Sequence, residues 1–492
     1  MGQDWRPCVL DSFNLKEKTI SGIRWTGLNR GVQSCFTLLI TVVLARLLQP
    51  EDFGLIAIAT IFTILIGFLT EFGSGSAIVH AQELGQKAMS SIFWFTLLVG
   101  IMTTVTGVLI SPLVSLFFGE PRLGPILIVL SSTFFLTSLY IVQQSILIKR
   151  LDFKYIYIVR IVCIVLSGSL AIILAYKGYG VWSLVGQMLA EDLLTAVLLW
   201  FSGRWFPSWH FMWGEVRSIL KFSMNYLGYN IVNFLSERVP HILIGKFLGP
   251  EALGFFTIAQ RLIAFPVETS SIMANNVLFP VFSKIQTENI RIKELYLQAM
   301  KHIGFIVLPF MIGISITAPE LIRVVFGEKW MPAIFLLQLL SFAGIVQTFI
   351  ATNGVLYLSK GKTDIQFHMS LLLLFVTAAS VYIGLMWGIQ GATISYAAAS
   401  VVIFYPLLSV PYSLVGLRAY DLFLTLKEVF PMSLIMAIPT LMIAMILRHY
   451  GIDPLLILTS CILTGVVIYF ICSLVINRNL LTSFYEMMNL KT

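Results

Sequence analysis

The sequence predicts an all-α, polytopic membrane protein of about fourteen transmembrane helices, arranged as two six-helix lobes followed by two C-terminal helices. Three observations predict it. Hydrophobic residues make up 58% of the 492 and charged residues 11%, with a mean hydropathy of +0.90. A soluble domain carries about 25% charge, so this composition excludes one. The apolar residues fall in runs near or above the ~20 that one bilayer crossing needs. Two stretches of the chain also repeat each other 200 residues apart.

The apolar runs place spans near 26–48, 54–79, 90–117, 124–148, 156–176 and 180–201. They continue near 219–247, 252–282, 296–318, 333–358, 367–386, 390–414, 425–447 and 455–476. The implied organisation is a cytoplasmic segment 1–20, an N-lobe 21–201, a linker 202–218 and a C-lobe 219–414. The last two spans occupy 415–476 and a cytoplasmic tail 477–492. Met1 to Ile20 carries six charged residues and no apolar core, so it reads as no cleavable signal peptide, and the first span is expected to act as an uncleaved one. The longest connections, 202–218 and 283–295, are short.

Charge sets the orientation. With the first residues inside and the sides alternating, 22 lysines and arginines fall in inner segments and seven in outer ones. Such a bias is the positive-inside rule, and it places both termini in the cytoplasm with an even number of spans. It also accounts for the +8 net charge without nucleic acid.

The repeat pairs Leu44 through Pro50-Glu51 and Gly54 with Ile244 through Pro250-Glu251 and Gly254. Phe118-Gly119-Glu120 is echoed by Phe326-Gly327-Glu328, and Leu147-x-Lys149 by Leu358-x-Lys360. Proline suits the first turn of a helix, where its missing N–H would have no partner, and glutamate beside it faces the positive end of the helix dipole. The motif therefore reads as a tight outer turn. Six spans per half make the repeat a parallel one, related by an axis along the membrane normal with a cavity expected between the halves.

The five cysteines form no C-x-x-C pair, and the histidines no H-E-x-x-H. No nucleotide-binding G-x-x-x-x-G-K-[ST] loop occurs. Neither a metal nor any other cofactor is implied. Chemistry-bearing residues remain inside the spans, where a charge costs at least ~2.5–3.5 kcal/mol on insertion scales and so faces a partner or a wet cavity. They are Arg30, Glu71, Glu191, Asp192, Glu237, Arg238, His241, Arg261 and Glu268. Arg30, Arg238 and Arg261 lie in the opening spans of the two halves and suit an anionic diphosphate, since a guanidinium grips phosphate oxygens in pairs. The alternative is that each arginine is neutralised by a carboxylate and locks helices together. Glu71 and Glu268 admit two readings as well, coupling to H⁺ or Na⁺ or ion pairing with Arg30 or Arg261. Trp205, Trp209 and Trp213, near the linker, fit an interfacial aromatic belt better than sugar stacking.

Several stretches carry a resemblance to a known family. Arg46-Leu-Leu-x-Pro-Glu-Asp-Phe-Gly54, Phe72-Gly-Ser-Gly-Ser-Ala-Ile78 and Ser91-Ile-Phe-Trp94 resemble the polysaccharide-export flippases of the Wzx type. So do Lys149-Arg-Leu-Asp-Phe153, Tyr179-Gly-Val-Trp182, Ile244-Gly-Lys-Phe-Leu-Gly249 and Phe326-Gly-Glu-Lys-Trp-x-Pro332. The branch most similar is that of exporters of colanic acid and related exopolysaccharides, in the multidrug/oligosaccharidyl-lipid/polysaccharide exporter superfamily. The likeness runs from about residue 20 to 415. It implies two six-helix lobes plus two helices, a bacterial inner-membrane location and no enzymatic activity. The implied partners are an undecaprenyl-diphosphate-linked oligosaccharide, membrane lipids and other polysaccharide-assembly proteins. Two rivals stand beside it: a drug/cation antiporter of the same superfamily, and a membrane glycosyltransferase or polymerase, which would need a larger extramembrane catalytic loop.

Overall fold

The computed structural model describes residues 31–71, 78, 85–150, 152–203 and 205–477, with side chains left out at 71, 202, 203, 215–227, 229 and 230. Among the described residues there are helices and turns and no strand. In lipid a spanning segment must satisfy every backbone N–H and C=O within itself, and the helix does so. Among the described residues, eleven helical runs are long and apolar enough to cross a membrane, and Gly31–Leu47 is a shorter apolar helix. Two of the eleven, Ile231–Lys284 and Thr363–Ser413, hold 54 and 51 residues. Each has more than twice the ~20 residues that one crossing needs.

The chain divides into two compact units, residues 1–238 and 239–492. The described part of the first begins with α1 (Gly31–Leu47), α2 (Pro50–Glu71) and α3 (Gln86–Phe118). It continues through α4 (Leu123–Leu130), α5 (Ser132–Lys149), α6 (Phe153–Tyr176) and α7 (Trp182–Gly203). The unit boundary falls inside α8 (Trp213–Met273). The second unit adds a π-turn at Ala274–Leu278, α9 (Phe279–Lys284), α10 (Asn289–Leu321), α11 (Ala333–Ala351) and α12 (Gly354–Ser359). It ends with α13 (Thr363–Gly384), α14 (Gly388–Ser413), α15 (Ala419–Leu426), α16 (Val429–His449) and α17 (Pro454–Ile476).

Small residues let helices meet closely where lipid offers no hydrophobic drive between them. On α3 the buried face carries Gly100, Thr103, Gly107 and Ser111. A Cβ at Gly100 would stand 2.5 Å from Ser138 Cβ, and one at Gly107 2.4 Å from Ser131 Oγ. Thr103 of that face meets Thr70 of α2, hydroxyl to hydroxyl, at 2.8 Å. Polar cross-links complete the unit: the Trp200 indole donates to the Leu139 carbonyl at 2.8 Å and the Tyr155 hydroxyl to the Leu198 carbonyl at 3.1 Å. In the second unit the Tyr469 hydroxyl of α17 donates to the Phe305 carbonyl of α10 at 2.7 Å. Tyr296, fully buried, donates to Asn353 Oδ1 at 2.8 Å, and Asn353 in turn donates to the Leu407 carbonyl at 2.9 Å. Large apolar side chains such as Leu109, Leu113, Leu116, Val402 and Leu463 lie exposed, as lipid-facing surface requires.

The repeated motifs are turns, as their residues predict. Pro50 opens α2, and the Gln49 backbone N–H donates to Asp52 Oδ2 at 3.0 Å, a capping contact from the first turn. In the second copy Gly249 breaks the helical path of α8 with φ 85°, just before Pro250. Gly119 and Gly327 both hold positive φ, 71° and 96°. A side chain there would press on the backbone, so glycine is required. Around Gly119 the copies diverge. Arg122 bonds Glu120 Oε1 at 2.8 Å and also pairs with Glu51, which ties the two turn motifs of the first unit together. Around Gly327 a short 3-10 turn instead buries Trp330 against Phe255 and Phe326.

Helices extend further into the connections than hydropathy alone suggests. α8 begins at Trp213 and α10 at Asn289, so the stretch 283–295 is mostly helical, while 202–218 holds helix at its two ends around a non-helical segment 205–212. Polar residues remain helical beyond the bilayer, where water replaces lipid and hydropathy falls without the hydrogen-bond ladder ending.

Candidate functional site

Arg238 and Arg261 both lie on α8, on either side of the Gly249 break. Arg238 precedes Gly249 by eleven residues and Arg261 follows it by twelve. At 1.5 Å per residue these are about 16 and 18 Å of helix, near half the ~30 Å hydrocarbon thickness. With the Gly249 turn at the membrane surface, as the sequence predicts, each arginine falls near mid-span on its own segment.

Arg238 belongs to the first unit and is half-buried. Its guanidinium carbon sits 5.7 Å from the centroid of the Phe234 ring, one turn earlier. Phe234 meets Phe68 of α2 edge to face at 5.5 Å. The Nε of Arg238 is buried with no hydrogen-bond partner among the described residues, and no ion pair reaches it there. The adjacent Glu237 is exposed and accepts from Asn233 Nδ2 at 3.3 Å. Successive helix residues point ~100° apart, so Glu237 is no partner for Arg238, as the sequence indicated. His241, on the second unit's share of α8, is buried edge to face with Phe256 at 5.3 Å. Phe256 also meets Tyr396 of α14, whose hydroxyl accepts from Gln347 Nε2 of α11 at 2.8 Å.

Arg261 and Glu268 belong to the second unit and are both exposed. Seven residues apart, they share one face of α8 two turns from each other. Glu268 acts on Arg261 through its charge, yet no ion pair within 4.0 Å joins them among the described residues. An open arginine at this depth faces either hydrocarbon, at a cost of at least ~2.5–3.5 kcal/mol, or water. Pro266 leaves the helix continuous to Met273, and the irregular turn comes later, as the π-turn at Ala274–Leu278. The carbonyl of Pro266 accepts from the Ser270 hydroxyl at 2.8 Å. Arg30 lies outside the described residues. Glu71 is the last residue of α2, and its side chain also lies outside them.

The remaining intramembrane carboxylates have polar neighbours. Tyr140 donates to Asp192 Oδ1 at 3.2 Å, and the charge of Arg160 on α6 bears on Glu191. One pair escaped the reading of the sequence. Glu320 near the end of α10 is buried, and Arg448 near the end of α16 grips it with both arms at 2.7 Å. Arg448 also donates to the Ile316 carbonyl at 3.0 Å. The available signal was a carboxylate and an arginine closing two apolar runs on the same predicted side. At other points along α10, Lys301 pairs with Glu428 at 2.8 Å and Lys293 with Asp421 at 2.9 Å. The Lys301 ammonium holds the Glu428 carboxyl below its ordinary value. The Arg418 backbone N–H, then Lys293, does the same for Asp421. These three pairs fasten α15, α16 and the segment between them to α10.

The comparisons agree with this architecture. A family described as "Polysaccharide biosynthesis protein" matches residues 43–335. The succinoglycan biosynthesis transport protein ExoT of Rhizobium meliloti is 27% identical over 481 residues, 96% of each chain. The lipopolysaccharide biosynthesis protein WzxC of Escherichia coli K12 is 24% identical over 393 residues, 79% of this chain and 80% of the relative. Among solved structures, the lipid II flippase MurJ in an inward closed conformation has a TM-score of 0.72 at 16% identity, covering 92% of this chain and 99% of MurJ. An inward-facing MATE-family multidrug transporter of the MOP superfamily scores 0.63 at 15% identity, over 78% and 94%. Those two likenesses concern the fold. With more than half of its length matched, and the Wzx-like motifs on its turns, the chain belongs to the polysaccharide biosynthesis protein family.

Proposed function

We propose that the protein is a flippase that carries undecaprenyl-diphosphate-linked oligosaccharide units from the inner to the outer leaflet of the bacterial inner membrane by alternating access. The observation that carries the reading is the pair of mid-span arginines, Arg238 and Arg261, with no ion-pair partner among the described residues. Such guanidinium groups suit a diphosphate, while the polyprenyl tail stays in lipid. Arg30 is assigned to the same set on its place in the sequence. The names of the relatives, biosynthesis and transport proteins of surface polysaccharides, support the substrate class.

The topology proposed with it has fourteen crossings, both termini cytoplasmic, an N-lobe 21–201, a C-lobe 219–414 and a C-terminal pair. The two helical runs of 54 and 51 residues support it, since each accommodates two crossings. An inside-negative potential contributes ~2.3 kcal/mol per charge per 100 mV, so an outward-moving dianion gains about twice that. Glu268, on the same face as Arg261, and Glu71 are the residues proposed to couple H⁺ or Na⁺.

The test is accumulation of lipid-linked oligosaccharide in a deletion strain, rescued by wild type or by Arg30→Ala, Arg238→Ala or Arg261→Ala. The expected result is that wild type clears the inner-leaflet intermediate while expressed arginine variants leave it in place. Increased drug sensitivity without any such intermediate would sink the reading in favour of an antiporter. The second reading has one observation of its own, the carboxylates Glu191 and Asp192 half-buried on α7.

A further inference from the structure

Between α7 and α8 the chain from Trp205 to Met212 is neither helix nor strand, bending at Trp209 where the His210 N–H donates to the Ser208 carbonyl at 2.8 Å, yet it is held tightly. Gln86 of α3 donates to the Phe206 carbonyl at 2.7 Å and accepts from the Trp205 indole at 2.7 Å. Gln143 of α5 donates to the Trp205 carbonyl at 2.8 Å. Ser90 accepts from the Ser208 backbone N–H at 2.9 Å, Ser91 from the Met212 N–H at 2.9 Å, and the Trp94 indole donates to the Ser208 carbonyl at 3.0 Å. Trp205 is buried in a cluster with Met89, Phe93 and Val142. Trp209 stacks on Trp94 with ring centroids 4.8 Å apart. Trp205 is thus an internal anchor, which corrects its assignment to an aromatic belt.

The other side of this strap is open and apolar. Phe206 is 67% exposed, Trp209 88%, Phe211 53%, Met212 48% and Trp213 56%. A chain with several backbone groups already tied down has spent those hydrogen bonds on the protein and presents mainly apolar side chains outward. We propose that this strap is a membrane-interface anchor, whose aromatic face seats in the boundary between headgroups and acyl chains and holds the first unit there.

Three arguments fix lipid as the partner. The strap joins α7, a spanning helix, to α8, so it starts at the membrane surface. Its clasp lies on the first nine residues of α3, a helix of 33 residues. At 1.5 Å per residue that helix is ~50 Å long against a hydrocarbon core of ~30 Å, so its first turns reach headgroup depth. Tryptophan rings favour that layer. A glycan platform would need polar groups beside the rings to meet sugar hydroxyls. The outward side chains from 206 to 213 supply only His210 as an ionisable group, and Ser208 is engaged with Ser90.

The experiment places a bimane label at Phe211→Cys in the full chain, with the native cysteines replaced, in vesicles of phosphatidylethanolamine and phosphatidylglycerol. A second label at Thr287→Cys, in the polar turn before α10, is the aqueous reference. The expected result is quenching at 211 by shallow-brominated lipid at least about twofold stronger than by aqueous iodide, and the reverse order at 287. Ser90→Ala with Ser91→Ala is expected to shift the 211 label towards iodide by loosening the clasp. Dominant iodide quenching at 211 overturns the proposal, as does protection of the label by soluble oligosaccharide without bromolipid quenching, which would make the face a glycan platform. A 211 label that ignores the serine substitutions overturns the role of the clasp. None of these outcomes depends on which molecule is transported.

Discussion

Three charges of α10 and two arginines of α8 follow opposite rules. On α10, Glu320, Lys301 and Lys293 each meet an opposite charge at 2.7–2.9 Å. On α8, Arg238 and Arg261 meet none among the described residues, although each lies within an apolar helical run. A paired charge has its desolvation offset by its partner and reports on how helices are fastened. An unpaired one at membrane depth persists only where its environment supplies water or a transient counter-ion. The contrast divides the intramembrane and juxtamembrane charges into fastening and candidate working groups, a division that composition alone does not make.

The largest effect that would sharpen this division is on transport. Arg261→Gln should lower cargo clearance in cells by about tenfold or more, the loss expected when a charge-assisted contact worth roughly 1.5–3 kcal/mol is removed. Its melting temperature in detergent should stay near that of wild type. If Arg261→Gln unfolds the protein while transport by the surviving fraction is normal, the arginine is a fastener and the comparison breaks.

Next comes the buried pair. Glu320→Ala should destabilise the chain by about 3 kcal/mol, the lower end for stranding one partner of a buried ion pair, because Arg448 is partly exposed. Glu320→Leu with Arg448→Met should recover most of that loss, since an apolar pair of similar volume needs no counter-charge. Thermal unfolding of single and double variants checks both halves. Equal losses in the single and double variants would show that the pair contributes nothing through its coupling.

How much of this was legible in the sequence depends on which forces write locally. The all-helical membrane fold was, because burial in lipid demands about twenty apolar residues in sequence, whereas helical runs of 54 and 51 residues do not themselves mark how many crossings they hold. The turns at Pro50, Gly119, Gly249 and Gly327 were, because backbone conformation at a turn selects proline and glycine. The brace of Arg122 to Glu51 and the Glu320–Arg448 pair were not, since their partners are 71 and 128 residues apart. Trp205 and Trp209 look alike in sequence, yet one is 3% exposed and the other 88%. What separates them is the hydrogen bonding of a linker that hydropathy does not register. For the site, the sequence named Arg238, Arg261 and Glu268 from depth alone, and the coordinates add their exposure, the Phe234 ring and a shared helix face.

A turn glycine of the repeat and a helical glycine offer a smaller test. Gly327→Ala forces an alanine into φ 96°, a region that costs an L-residue roughly 1–2 kcal/mol. Gly313→Ala, in the α-helical part of α10 with nothing within 4 Å of its added Cβ, should be neutral or stabilising by up to ~1 kcal/mol. Melting temperatures moving in opposite directions are the expected result. Equal shifts would mean that the turn relaxes and that its glycine is dispensable.

The smallest expected effect concerns the fasteners in water. The Arg418 N–H donates to Asp421 Oδ2 at 2.9 Å and Lys293 to the same oxygen at 2.9 Å, which depresses the Asp421 carboxyl below its ordinary value. A depressed folded-state value means that the stabilisation is present above the unfolded pKa and is lost as pH falls through the folded one. The loss therefore begins below about pH 4, where free aspartate takes up its proton. For a pair this accessible the contribution is about 0.5 kcal/mol. Melting temperature measured from pH 6 to 3 should accordingly fall less for Asp421→Asn than for wild type. Because Glu428 is depressed in the same way by Lys301, a residual acid slope should survive in that variant and diminish further when Glu428→Gln is added. Parallel curves for wild type and the double variant would show that these ion pairs hold nothing, leaving the buried Glu320–Arg448 pair as the fastener that matters.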